Sequence, residues 1–110
     1  MIDTRTFIKE IVQNLPEYSA YEYHPSLKCV SWKYDDCKFK FYDDEESEFH
    51  EVDLEKFCKG YDILKDLWKN KKLFFYGINS EADFEDPGQW DADIMDSLIQ
   101  CAIFGEVIYG

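Results

Sequence analysis

The sequence predicts an α+β fold: an N-terminal helix, a three-stranded antiparallel meander, then two helices packed on the sheet and a short C-terminal edge strand. Three observations predict it. Apolar residues recur at helical spacing near the N-terminus, alternate with a period of two from Tyr18, and return to helical spacing from Leu54. A chain of 110 residues fits a single domain. Its 45% apolar and 18% aromatic content supplies one core, since a large ring can bury about 150–250 Å².

Asp3 or Thr4 can cap the first helix, because a short side-chain oxygen there accepts from an otherwise unpaired backbone N–H. Phe7, Ile8, Ile11, Val12 and Leu15 form its apolar stripe, and Pro16 ends it. Residues 18–23 (YSAYEY) are the first expected strand, and residues 27–34 and 37–42 form a hairpin around Asp35 and Asp36. Setting Tyr34 opposite Cys37 places Trp32 against Phe39 and Val30 against Phe41, so the large apolar groups share one face. Lys33, Lys38 and Lys40 then occupy the other, either as the wet side of a half-buried sheet or as a counter-charge to the acidic run that follows, while a nucleic-acid site there is opposed by the acidic surround. In this register Cys29 faces Tyr42, about 17 Å along the strand from the partner of Cys37, too far for a disulfide.

Asp53 can cap the second helix, whose stripe is Leu54, Phe57, Cys58, Tyr61, Leu64, Leu67 and Trp68. Residues 73–78 (LFFYGI) fit a short strand or a helical turn equally well, and Asp86, Pro87 and Gly88 make a turn. Asp91 or Asp93 can cap the third helix, which carries Ile94, Met95, Leu98, Ile99, Ala102 and Ile103 and breaks at Gly105 before a tail, residues 106–110, that can add the edge strand.

Charge is the dominant global property. Acidic residues number 24 against 12 basic, a net charge of −12. That sign opposes direct contact with nucleic acid or an anionic membrane and suits a basic partner. The charge is also segregated. Residues 43–55 (DDEESEFHEVDLE) hold eight carboxylates and residues 81–96 (EADFEDPGQWDADIMD) hold seven, with no lysine or arginine in either stretch. Glu51 to Glu55 has a local cause in the cap and dipole of the second helix. Asp43, Asp44, Glu45, Glu46 and Glu48 have none. With Glu81, Asp83, Glu85, Asp86, Asp91, Asp93 and Asp96, they are the candidate partner-binding residues. Trp90 is a candidate aromatic anchor, as are Tyr18, Tyr21 and Tyr23.

Catalytic and metal chemistry find no support. Neither acidic stretch has the ligand spacing of a calcium loop, and His50-Glu51 begins an HExxH pattern that ends on Leu54. The four cysteines show no CxxC spacing, no GxSxG nucleophile setting occurs, and wet carboxylates lack the burial that tunes an acid–base pair. The expectation is a protein that is not an enzyme, with no catalytic residue, metal or cofactor. No run approaches the about 20 apolar residues of a membrane span, and the opening MIDTRTFIKE lacks a signal-peptide core. The expected location is the cytoplasm, that of the host cell if a phage encodes the chain.

An acidic surface can copy the field of DNA. Helical carboxylates three or four residues apart lie about 5–6 Å from each other, as Asp93 with Asp96 or Glu51 with Glu55 would on helices. In organisation the chain resembles small acidic inhibitors of phages and mobile elements, the anti-CRISPR proteins and other DNA mimics. The resemblance rests on the opening helix (IDTRTFIKEIVQNL), the meander, the acidic connection and the amphipathic helix (LEKFCKGYDILKDLW), and covers residues 1–70. It implies binding to a basic nucleic-acid-handling protein, a CRISPR effector or another defence nuclease, at the site where arginines read DNA. The third helix and the tail depart from that layout. An immunity protein or antitoxin that covers a cognate nuclease toxin would present a similar surface, and acidity that serves only solubility is the third reading.

Overall fold

Helix α1 (Thr4–Val12) starts where the Asp3 carboxylate accepts from the backbone N–H of Arg5 at 2.9 Å and of Thr6 at 3.3 Å. The Thr6 hydroxyl adds a third bond at 2.8 Å. The helix buries Phe7, Ile8, Ile11 and Val12, the stripe its spacing predicts. The computed structural model describes residues 3–12, 27–33, 37–90 and 92–108. The strand expected at 18–23, the helix end at Leu15 and Pro16, and the Tyr34–Cys37 pairing lie outside them.

Strands β1 (Leu27–Lys33), β2 (Lys38–Asp43) and β3 (Glu48–Val52) form an antiparallel sheet in the order β1-β2-β3, and helices pack on it. The fold class is the one the sequence predicts, but β3 comes from the acidic stretch, which therefore is not a connection. That stretch divides into the last residue of β2, a turn at 44–47, the strand β3, and the cap and first turn of the next helix. Carboxylates are poor strand formers. Here β2 supplies the ladder, pairing Phe39 with Val52 and Phe41 with His50, while Glu48 and Glu51 stay exposed.

The β1–β2 register holds where Trp32 faces Phe39 and changes beyond it. A bulge between Cys29 and Ser31 sets Cys29, not Val30, opposite Phe41. Val30 is consequently 48% exposed instead of covering the core. On β2 the alternation is clean: Phe39, Phe41 and Asp43 are buried, while Lys38, Lys40 and Tyr42 face outward with Lys33.

Helix α2 (Leu54–Lys69) starts at Asp53, which accepts from Lys56 N–H at 2.9 Å. It buries Phe57, Tyr61 and Leu64, with Phe57 edge-on to Phe39 at 5.5 Å. Its C-terminus closes through Lys71 N–H to Trp68 O at 3.0 Å and Lys72 N–H to Leu67 O at 2.9 Å. This places Lys71 at φ 60, a left-handed position that favours glycine. Lys71→Gly should therefore raise stability by about 0.5–1 kcal/mol, read as a higher urea midpoint at unchanged slope.

Residues 73–78 adopt neither of the two expected forms. Ile78 N–H donates to Phe75 O at 3.2 Å across a turn with Gly77 at φ 83, which buries Phe75 and Ile78 and turns Phe74 and Tyr76 outward. A short helix, α3 (Glu81–Phe84), and a 3-10 turn (Pro87–Gln89) follow. The signal for α3 was the S-x-x-D spacing of Ser80 and Asp83, a helix-start pattern: Ser80 Oγ accepts from Asp83 N–H at 3.2 Å, and Asp83 accepts from Asn79 N–H at 3.0 Å.

Helix α4 (Ala92–Phe104) is the central element, buried at every position from Ile94 to Cys101 and packed chiefly on α2. The rings of Phe7, Tyr61, Phe84 and Trp90 pack together beside it, with centroids 5.4–6.1 Å apart. After Gly105, at φ 76, the tail does not form the expected edge strand over residues 105–108. Its backbone is claimed by the helix, since Ile108 N–H donates to Oε1 of buried Gln100 at 2.9 Å.

Candidate partner-binding surface

The turn at 44–47 is shaped from beneath by a carboxylate. Asp43 is fully buried at the end of β2, and its Oδ1 accepts from Glu45 N–H at 2.9 Å and Glu46 N–H at 3.4 Å. Such a side chain satisfies backbone donors as a helix cap does and fixes the path of the next residues. Ser47 completes the reversal at φ 53. Asp44, Glu45, Glu46 and Glu48 are consequently displayed in water. Asp43→Ala should cost about 1–2 kcal/mol in unfolding free energy and loosen the turn, whereas Asp43→Asn, which keeps the acceptor, should cost less than half of that. Equal losses for the two variants would contradict the capping role.

The structure removes three candidates from any docking surface. Asp43 lies under the turn. Asp96 lies on the enclosed helix α4 and is 7% exposed, with its Oδ2 accepting from Gln100 Nε2 at 2.7 Å. Trp90 is 5% exposed and donates from Nε1 to Phe84 O at 2.6 Å, so it is a core ring. Glu81 and Glu85 are exposed but answered internally: Lys65 Nζ bonds to Glu85 and to Glu81 at 3.1 Å, and Lys69 reaches Glu81 at 3.0 Å. Hydrogen bonds from Lys69 and then Lys65 hold the Glu81 carboxyl below its usual range. Asp83 works as part of a helix start, and Asp86 accepts from Gly88 N–H at 2.9 Å. Asp93 is exposed in the first turn of α4; Asp91 lies outside the described residues.

Of the two carboxylate pairs expected at helical spacing, Glu51 and Glu55 are divided between β3 and α2, while Asp93 and Asp96 share α4 but only Asp93 is exposed. β3 contacts chiefly β2, α4 and α2, whereas α3 contacts chiefly the 3-10 turn. Among the described candidates, Asp44, Glu45, Glu46 and Glu48 are exposed together at one turn, and Asp93 is exposed on α4.

Sequence reasoning missed the aromatic residues beside that turn. Tyr42 and Phe49 face each other across β2 and β3 on the outer side of the sheet, with ring centroids 4.9 Å apart. Phe49 is 59% exposed, and Lys40 Nζ stands 4.7 Å from its ring centre. Its signal was a lone phenylalanine inside a run of charge. Phe74 and Tyr76, the most exposed large apolar side chains described, stand on the separate 73–78 loop.

Burial pushes the Cys101 thiol up to about 11 and raises that of Cys58, leaving little thiolate at either. Among the described residues, no group of three or more His, Cys, Asp or Glu side chains is placed to hold a metal ion, and no helix is long and apolar enough to cross a membrane. Compared with protein-family models, curated proteins and solved structures, the chain matches none.

Proposed function

We propose that this chain is an acidic protein inhibitor that docks its β2–β3 turn on a basic nucleic-acid-handling protein, a CRISPR effector or another defence nuclease in the host cytoplasm. Its carboxylates take the place of nucleic-acid phosphates. The observation that carries the reading is the display of Asp44, Glu45, Glu46 and Glu48 on a turn that buried Asp43 holds in shape. A charge run that served solubility alone would need no such support. A preformed turn loses little conformational freedom on binding, so more of the attraction to the partner's arginines survives as affinity. Phe49, next to the turn and largely exposed, offers its ring to a guanidinium. Glu81 and Glu85 contribute little, because Lys65 and Lys69 already answer them.

The test is affinity capture from host cells with salt elution, followed by competition with DNA for the retained protein. The variant Asp44→Asn/Glu45→Gln/Glu46→Gln should bind at least about tenfold more weakly at low salt and show a flatter salt dependence. Unchanged affinity in that variant, or simultaneous binding of DNA and the chain to the retained protein, would remove the reading.

A further inference from the structure

The outer face of the sheet has a different character from the rest of this acidic chain. Residues alternate sides along a strand, so Lys38, Lys40 and Tyr42 of β2 line one face, about 7 Å apart. Register places Lys33 directly opposite Lys38, Lys40 between Ser31 of β1 and Glu51 of β3, and Phe49 opposite Tyr42. The face thus grades from a lysine end to an aromatic end. A recess of about 420 Å³ lies over the lysine end, bounded by Lys33, Lys38, Lys40 and Lys56. Glu51 and Asp53 are the carboxylates in its wall, and Lys56 Nζ donates to the Glu51 carbonyl oxygen at 3.0 Å.

Two features need a reason. Lys33 and Lys38 oppose each other across the strand pair, an arrangement of like charges that weakens a sheet unless an anion lies between them. Phe49 and Tyr42 expose a joined ring surface that the core does not use. Lysines beside exposed rings on a sheet are what a single nucleic-acid strand requires: cations track its backbone, and a ring offers a stacking surface to any base.

We infer that the outer face of the β1–β2–β3 sheet is a platform for a short single-stranded nucleic acid, with phosphates over Lys33, Lys38 and Lys40 and a base stacked on Phe49 beside Tyr42. The net charge of −12 opposes this contact at long range, so binding belongs to low ionic strength or to a strand already held by a protein partner. The inference goes beyond the inhibitor reading and does not rest on it, since its cations are those of the outer sheet face; Phe49 is the side chain the two readings share.

Fluorescence anisotropy with labelled oligouridine and oligothymidine of about eight nucleotides tests it, with inorganic polyphosphate as the anion without bases. The chain is expected to bind at least one strand at low salt. Phe49→Ala should weaken binding by roughly 5- to 100-fold while leaving the weak binding of polyphosphate in place. Lys33→Gln/Lys38→Gln should weaken both ligands and lower the salt slope for the strand by about 1.4, for two lost phosphate contacts. These side chains are exposed, and matching circular dichroism would confirm that the variants remain folded. The variant Asp44→Asn/Glu45→Gln/Glu46→Gln should bind the oligonucleotide at least as tightly as the parent, which separates this site from the acidic turn. No binding of either strand by the parent would overturn the inference, as would full affinity in both platform variants. Tighter binding of an acidic peptide with the same dependence on Phe49 would assign the face to a protein instead.

Discussion

Asp96→Asn should stabilise the protein by up to on the order of 4 kcal/mol near pH 8 and by little near pH 4. Burial on α4 pushes the Asp96 carboxyl from its ordinary 3.8 up to about 7; the hydrogen bond from Gln100 works against that rise, and the charge of Asp93 adds to it. The folded chain therefore holds a proton that the unfolded chain releases. Between about pH 4 and about pH 7 the unfolded state binds fewer protons, so stability falls as pH rises. Above about pH 7 the carboxylate is charged in both states, and the full desolvation cost remains. Asparagine keeps an acceptor for Gln100 Nε2 and carries no charge. Urea unfolding of parent and variant across this range checks the claim. Parallel pH profiles would show that Asp96 is charged and well satisfied in the fold.

Gly60→Ala should lower stability by about 1–3 kcal/mol, a drop of several degrees in unfolding temperature for a chain of this size. The sign is the informative part. Alanine inside a helix normally gains about 0.5–1 kcal/mol over glycine, because glycine has more backbone freedom to lose. Here a Cβ at position 60 would stand 2.7 Å from the backbone nitrogen and 2.8 Å from the Cα of Ala102, and backbone cannot rotate aside as a side-chain tip can. Gly60 is thus a point of close approach between α2 and α4, which pack extensively on each other. An unchanged or raised melting temperature would mean that these helices can separate at little cost.

Much of the scaffold was legible in the chain. The helical stripes of α1, α2 and α4 are written in their apolar spacing, and Asp3 and Asp53 cap where a short acceptor must precede an apolar run. The lysine face of the hairpin follows from strand alternation alone, which is why Lys33, Lys38 and Lys40 lie together as expected. Alternation did not reveal the bulge at Val30, since an extra residue in one strand leaves no mark on its own composition. Nor did it reveal β3. Glu48, His50 and Glu51 carry weak strand preference of their own and pair because β2 presents a ladder beside them.

The acidic residues divide along the same line. By itself the sequence determined that the charge is large, that it is segregated into two lysine-free stretches, and that a basic partner would meet carboxylates there. Only the tertiary structure decided which of those carboxylates remain on the surface. Asp43 and Asp96 sit at positions whose neighbours in space enclose them, and Glu81 and Glu85 meet Lys65 and Lys69 of a helix that ends more than ten residues earlier in the chain. Hydration and Coulomb energy depend on what surrounds a charge in three dimensions, and composition carries no record of that. Local periodicity is read from a chain one element at a time. Which faces meet, and therefore which charges stay in water, is settled when the elements pack.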